Sequence, residues 1–196
     1  MIIAIKEKDK TVIGCSITDY TSGLTDKDYV DMENLPIRFT PDGKLFAFAN
    51  LAASSDMLLY DDKFINMEIS PKKIITDIIP YMKKKFKDNY YPLGENETWG
   101  NALVICYDGH IYDIDPRFNF YEISDYACHG YNVETLKSTL DFTAGLPAEQ
   151  RIVEAVKFAG KMKKSNYFPL VMADTKAKEF KYIYEGEKVD ERGDSI

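Results

Sequence analysis

The chain has 196 residues, 45% of them hydrophobic and 29% charged, with a formal net charge of -7 and a pI of about 5.0. That balance argues against binding along a phosphate backbone, so nucleic acid is not an expected partner. No apolar run approaches the roughly 20 residues that span a bilayer. The N-terminus lacks the basic stretch and continuous apolar segment of a secretory signal.

In chain order, Met1 to Cys15 reads as two short apolar strands, Ile2 to Ile5 and Thr11 to Gly14, around the charged turn Lys6 to Lys10. Neither strand alternates cleanly, which predicts burial on both faces of a sheet. The polar stretch Thr18 to Asn34 reads as a loop. Ile37 to Phe39 then leads through Pro41-Asp42-Gly43, a strong turn signal, into the strand Leu45 to Ala49. Asn50 to Leu59 is rich in small residues and is expected to open a helix. Ser70-Pro71 marks another helix start, with serine as N-cap and proline in the first turn. Ile74, Ile75, Ile78, Ile79 and Met82 give that helix an apolar face, and Pro80 inside it is expected to bend it.

Ala102 to Tyr107, Asp108-Gly109 and His110 to Ile114 form the strongest hairpin signal. Phe118 to Ser124 adds a strand, Asn132 to Phe142 a helix, and Pro147-Ala148-Glu149 the start of another. Phe168 to Met172 and Phe180 to Tyr184 are closing strands. The basic clusters Lys83 to Lys85 and Lys161 to Lys164 sit at helix ends, where cations complement the helix dipole. Strands grouped between pairs of helices predict an α+β fold of two packed sheets with helices outside. One domain is expected over residues 1–184, followed by a charged tail over 185–196. The three cysteines, Cys15, Cys106 and Cys128, are an odd number without a Cys-x-x-Cys pair. They suit free buried thiols in a reduced, cytoplasmic setting.

Several of these segments resemble proteasome-like N-terminal-nucleophile (Ntn) hydrolases of the bacterial ATP-dependent protease peptidase-subunit type. The opening hairpin ending in Gly14-Cys15-Ser16, the run Lys44 to Asp56, the hairpin within Asn101 to Pro116, and Tyr126-Ala-Cys-His-Gly130 before a helix occur in that family's order. The resemblance implies a four-layer αββα sandwich over about Met1 to Tyr184. The family opens on a catalytic threonine whose α-amine serves as base. Here the chain begins Met1-Ile2, about one residue beyond that position. The family's aspartate falls on Ser16, its lysine near Leu35 with Arg38 close by, and its turn serine on Gly130. Its late aspartate and serine fall around Met162 to Ser165. A relay missing these members is expected to be inactive, because they act as a unit.

The resemblance thus implies a noncatalytic structural or binding subunit of a cytoplasmic homo-oligomer. The alternative is an amide-bond hydrolase with a relocated nucleophile. The candidates are Cys15, Ser16 and Thr18, with His129 as a possible base. Cys15 follows Gly14, a junction that self-cleavage could open, but cleavage would discard the first strand. His129 also reads as a structural residue. His110 and His129 are the only histidines, they give no metal-ligand spacing, and no nucleotide-binding loop is present, so no cofactor or metal is expected. Asp108, Asp113 and Asp115 read as a solvated carboxylate face. Asn89 to Pro92 and Phe118 to Tyr121 offer aromatic rings for self-association. Whether a ligand would be a small molecule or a peptide is not encoded in any motif.

Overall fold

The computed structural model describes residues 1–16, 35, 37–49, 52–89, 93, 98–130, 132–163 and 167–184. Among the described residues, ten strands form two five-stranded antiparallel sheets. The first has the order β10 (Glu179–Ile183), β9 (Leu170–Asp174), β2 (Lys10–Ser16), β1 (Ile2–Glu7), β8 (Tyr126–His129). The second runs β3 (Ile37–Phe39), β4 (Leu45–Ala49), β5 (Ala102–Tyr107), β6 (His110–Ile114), β7 (Phe120–Ile123). The N-terminal hairpin lies in the interior of its sheet: β1 pairs with β2 and β8, and β2 with β9.

Three apolar layers follow from strand alternation. Ile3, Ile5 and Val12 point to helices α5 (Val133–Phe142) and α6 (Ala148–Lys163). Ile2, Ala4, Ile13 and Cys15 point the other way, to Leu45, Ala47, Val104 and Cys106 of the second sheet. Phe46, Phe48, Leu103 and Ile105 face the outer helices α1 (Ala52–Leu59), α2 (Asp62–Ile65) and α4 (Ile79–Asp88), while the single turn α3 (Pro71–Lys73) buries no side chain. The architecture is therefore helix, sheet, sheet, helix. Strands β1, β2, β4 and β5 lack polar-apolar alternation because both of their faces are buried.

The helix starts follow local chemistry. Ser70 accepts a hydrogen bond from the Lys73 amide and Pro71 occupies the first turn. Asp61 caps α2 through the Lys63 and Phe64 amides. It also takes the Tyr81 hydroxyl and the Lys85 ammonium, each at 2.7 Å, which ties α2 to α4. A π-helical segment, Ile74–Ile78, joins α3 to α4, and the Ile79 amide reaches back to the Ile74 carbonyl. Pro80, which has no N–H to donate, thus sits in the first turn of α4, immediately after this wider turn.

Phe118 is not an exposed ring. It is buried against Trp99, with centroids 5.7 Å apart, and Phe86 stacks on the same indole. Of the aromatic residues in the segment Phe118 to Tyr121, Tyr121 is the exposed one. In the stretch Asn89 to Pro92, residues 90–92 lie outside the described residues.

At Gly14 strand β2 comes close to α6. A β-carbon there would lie 2.5 Å from Ile152 Cγ2 of α6. Gly14→Ala should therefore destabilise the protein by about 1–3 kcal/mol in denaturant unfolding, the usual cost of overpacking. In combination with Ile152→Ala, the two costs should sum to more than the double variant loses, because the second change opens the space the first requires.

Candidate functional site

The first residues of β1, the last of β2 and the end of β8 meet at one end of the first sheet. The Ser16 amide donates to the Met1 carbonyl at 3.1 Å, so Ser16 stands opposite Met1. Gly130 follows β8 on the other side of Met1. Its φ is +123°, and a β-carbon there would come within 2.8 Å of Met1 Cα. Ser16 and Leu170 are also paired across β2 and β9. Leu170, Ser16, Met1 and Gly130 thus make one row at the α5/α6 side of the sheet.

Ser16 and Gly130 are the positions on which the resemblance places the family's aspartate and turn serine, with Met1 about one residue beyond its threonine. The Ser16 hydroxyl is buried and donates to the Tyr167 carbonyl at 2.8 Å. Gly130 has no side chain to offer. Met1 packs into the apolar layer beneath the helices. Leu35, near the lysine position, packs against the layer between the sheets. Arg38 points outward and donates to the Leu59 carbonyl at the end of α1.

One residue along, a second row faces the other sheet. Ile2 pairs with Cys15 on one side and His129 on the other. Cys15 and His129 therefore flank Ile2, two strand spacings or about 10 Å apart, too far for a nucleophile-base hydrogen bond. Cys128 is adjacent to His129 in sequence but points to the α5/α6 layer, whereas His129 points between the sheets. Neither cysteine forms a pair with this imidazole.

What His129 meets is Asp113. Its Nε2 lies 2.7 Å from Asp113 Oδ1, and both side chains are largely buried. The pair links β8 of one sheet to β6 of the other. The alternation of Asp113 and Asp115 predicts a solvated face; the structure instead buries Asp113, because its strand neighbours Ile111 and Val104 belong to the inter-sheet core. Asp115 caps its own turn through the Arg117 and Asn119 amides. Asp108 lies in the β5–β6 turn at φ +49°. His110 pairs with Glu122 on the surface. Thr18 lies outside the described residues.

The thiols are electrostatically quiet. Burial pushes Cys15 up to about 12, against a small opposing pull from the N-terminal charge. Burial raises Cys106 as well, and Cys128 up to about 11. Such thiols carry almost no thiolate near neutrality. Among the described residues, no cluster of His, Cys, Asp and Glu could hold a metal ion, and no helix is long and apolar enough to cross a membrane.

No protein-family model matches the chain, and no curated protein matches it. Solved structures do. BPH from Thiobacillus denitrificans superposes with a TM-score of 0.71 at 17% identity, over 89% of this chain and 97% of that one. HslV from Trypanosoma brucei gives 0.61 at 16% identity, over 88% and 97%. Anbu, an ancestral β-subunit from Yersinia bercovieri, gives 0.61 at 12% identity, over 94% and 87%. At such identities the likeness is one of fold: the chain has the four-layer α+β sandwich of the proteasome-like Ntn proteins.

All three thiols should resist a soluble alkylating or disulfide reagent at pH 8 in the native state and react fully once the protein is unfolded, as counted by intact mass. Their raised native values also set a pH trend. From about pH 9, the ordinary thiol value, the unfolded chain releases thiol protons that the folded chain retains. These groups therefore favour the fold below pH 9, and their contribution is lost progressively as pH rises toward 12. The urea midpoint should fall over that window, and by less in a Cys15→Ala variant.

Proposed function

We propose that the protein is a noncatalytic structural or binding subunit of a cytoplasmic assembly, built on the proteasome-like Ntn fold and self-associating. The observation that carries this reading is the row Ser16–Met1–Gly130. The positions matched to the family's aspartate and turn serine hold a hydroxyl already given to the Tyr167 carbonyl and a glycine. The position near the family's lysine holds Leu35. A relay that works as a unit has no partial form that retains most of its rate.

Support for self-association comes from the outer face of α5 and α6. Phe142 is 92% exposed, Met162 61% and Phe158 48%, with Leu146 in the connection between the helices. Phe158 and Met162 lie one turn apart on α6, toward the end opposite the connection that carries Phe142 and Leu146, so the exposed apolar area occupies both ends of the helix pair, and exposed apolar area is a mark of interaction surfaces. Glu154 and Lys157, which flank Phe158 on the exposed side of α6, give an antiparallel copy both signs of charge to meet.

A second reading, an amide-bond hydrolase with a relocated nucleophile, draws support from the buried His129–Asp113 pair, which has the base-and-orienter arrangement of nucleophilic enzymes. It requires a nucleophile other than the buried Cys15 and Ser16, and Thr18 is the remaining candidate.

Light scattering across a concentration series should give a mass above the 22.5 kDa of one chain, reduced to one chain by Phe158→Glu. A panel of fluorogenic peptides should show no turnover above buffer. A strictly monomeric protein with peptide turnover abolished by His129→Ala and Thr18→Ala would reverse the order of the two readings.

A further inference from the structure

Away from the N-terminal row, the free edges of the two sheets come together. β3 is the last strand of one sheet and β10 of the other. Between them, and against the end of α1, lies a cleft of about 330 Å³, at the lower end of the volumes typical of small-molecule sites. β10 is three strand spacings from β1, roughly 14 Å, so the cleft lies to one side of Met1, and Leu35, near the family's lysine position, is part of its lining.

Its walls are of two kinds. Ile37, Phe39, Phe180 and Tyr182 supply an apolar, ring-rich surface, with the Phe39 and Phe180 rings 5.2 Å apart. Phe180 is 38% exposed and Tyr60, at the rim, 59%. The other wall is cationic. Arg38 gives one N–H to the Leu59 carbonyl and lies over the Tyr60 ring at 5.8 Å. No carboxylate pairs with it among the described residues. A guanidinium carries five N–H donors and cannot shed its proton, so among the described residues most of this donor fork is left without a protein acceptor. Among the described residues the Tyr182 hydroxyl has no hydrogen-bond partner and no acidic residue lines the cleft.

We propose that this cleft binds a small organic carboxylate with an apolar body of about ring size, its carboxylate held by Arg38 and its body laid against Phe39 and Phe180. The fork geometry of arginine matches a carboxylate bidentately. A cation would be repelled, and a neutral apolar molecule would cover the guanidinium without pairing it. A bare inorganic anion would leave the rings uncovered.

The test is calorimetric titration of the full chain with hydrocinnamate and octanoate, each compared with its neutral amide. The acids should bind saturably at millimolar concentration or below, and each amide should bind about tenfold or more weakly, the usual scale of a hydrogen bond to a charged group. Arg38→Met should bring the acid down to the level of the amide. Phe180→Ala should weaken acid and amide together, which locates binding in the cleft. If Arg38→Met does not fold by circular dichroism, Arg38→Lys replaces it and should narrow the acid-to-amide ratio. The proposal is overturned by absence of saturable binding of both acids, by equal binding of acid and amide, by a folded Arg38 variant that keeps the full acid preference, or by indifference to Phe180→Ala.

Discussion

Everything in this fold depends on the thin apolar layer between the two sheets. Stacked sheets sit about 10 Å apart, a separation that small and branched side chains fill. Ala4, Ala47, Ala49, Ala102, Ala127 and Ala173 all face into it. The large rings are turned outward. In Leu45-Phe-Ala-Phe-Ala49 the two phenylalanines point to the helices and the alanines to the opposite sheet. This division of sizes fixes which face of each strand looks inward. A one-residue slip in register would push phenylalanine into a layer built for alanine.

The same alternation decides the chemistry available. Neighbouring residues on a strand lie on opposite faces, so Cys15 and Ser16, or Cys128 and His129, cannot cooperate however close they are in sequence. Residues that do cooperate come from different sheets, as His129 and Asp113 do. A hydrogen-bonded pair in an otherwise apolar layer holds both polar groups satisfied. Losing either member would leave the other buried without its partner, the costly case for polar groups in an interior.

The parts of the fold legible in the sequence are those set locally. The apolar runs of the N-terminal hairpin, the Asp108-Gly109 turn and the Ser70-Pro71 helix start each carry their signal within a few residues, and each appears where expected. The helix Asp62–Ile65 spans four residues, too few for an apolar period to show, and it is held by its Asp61 cap. What was hidden is nonlocal. Nothing near Asp113 announces that a histidine 16 residues on, in the other sheet, will bury it. Phe118 looked exposed because its neighbours are turn residues. It adopts φ +62° in that turn, and its ring packs against Trp99. The cleft beside Arg38 joins β3 to β10, about 140 positions apart in sequence, and no pattern of spacing could bring Arg38 and Tyr182 together.

Gly130 ties the β8 turn to the chain terminus. Its φ is +123°, and a β-carbon there would lie 2.8 Å from Met1 Cα, so the position accepts no side chain until the start of β1 has shifted. A substitution in this turn therefore acts first on the opening strand, and the two ends of the contact can change only together.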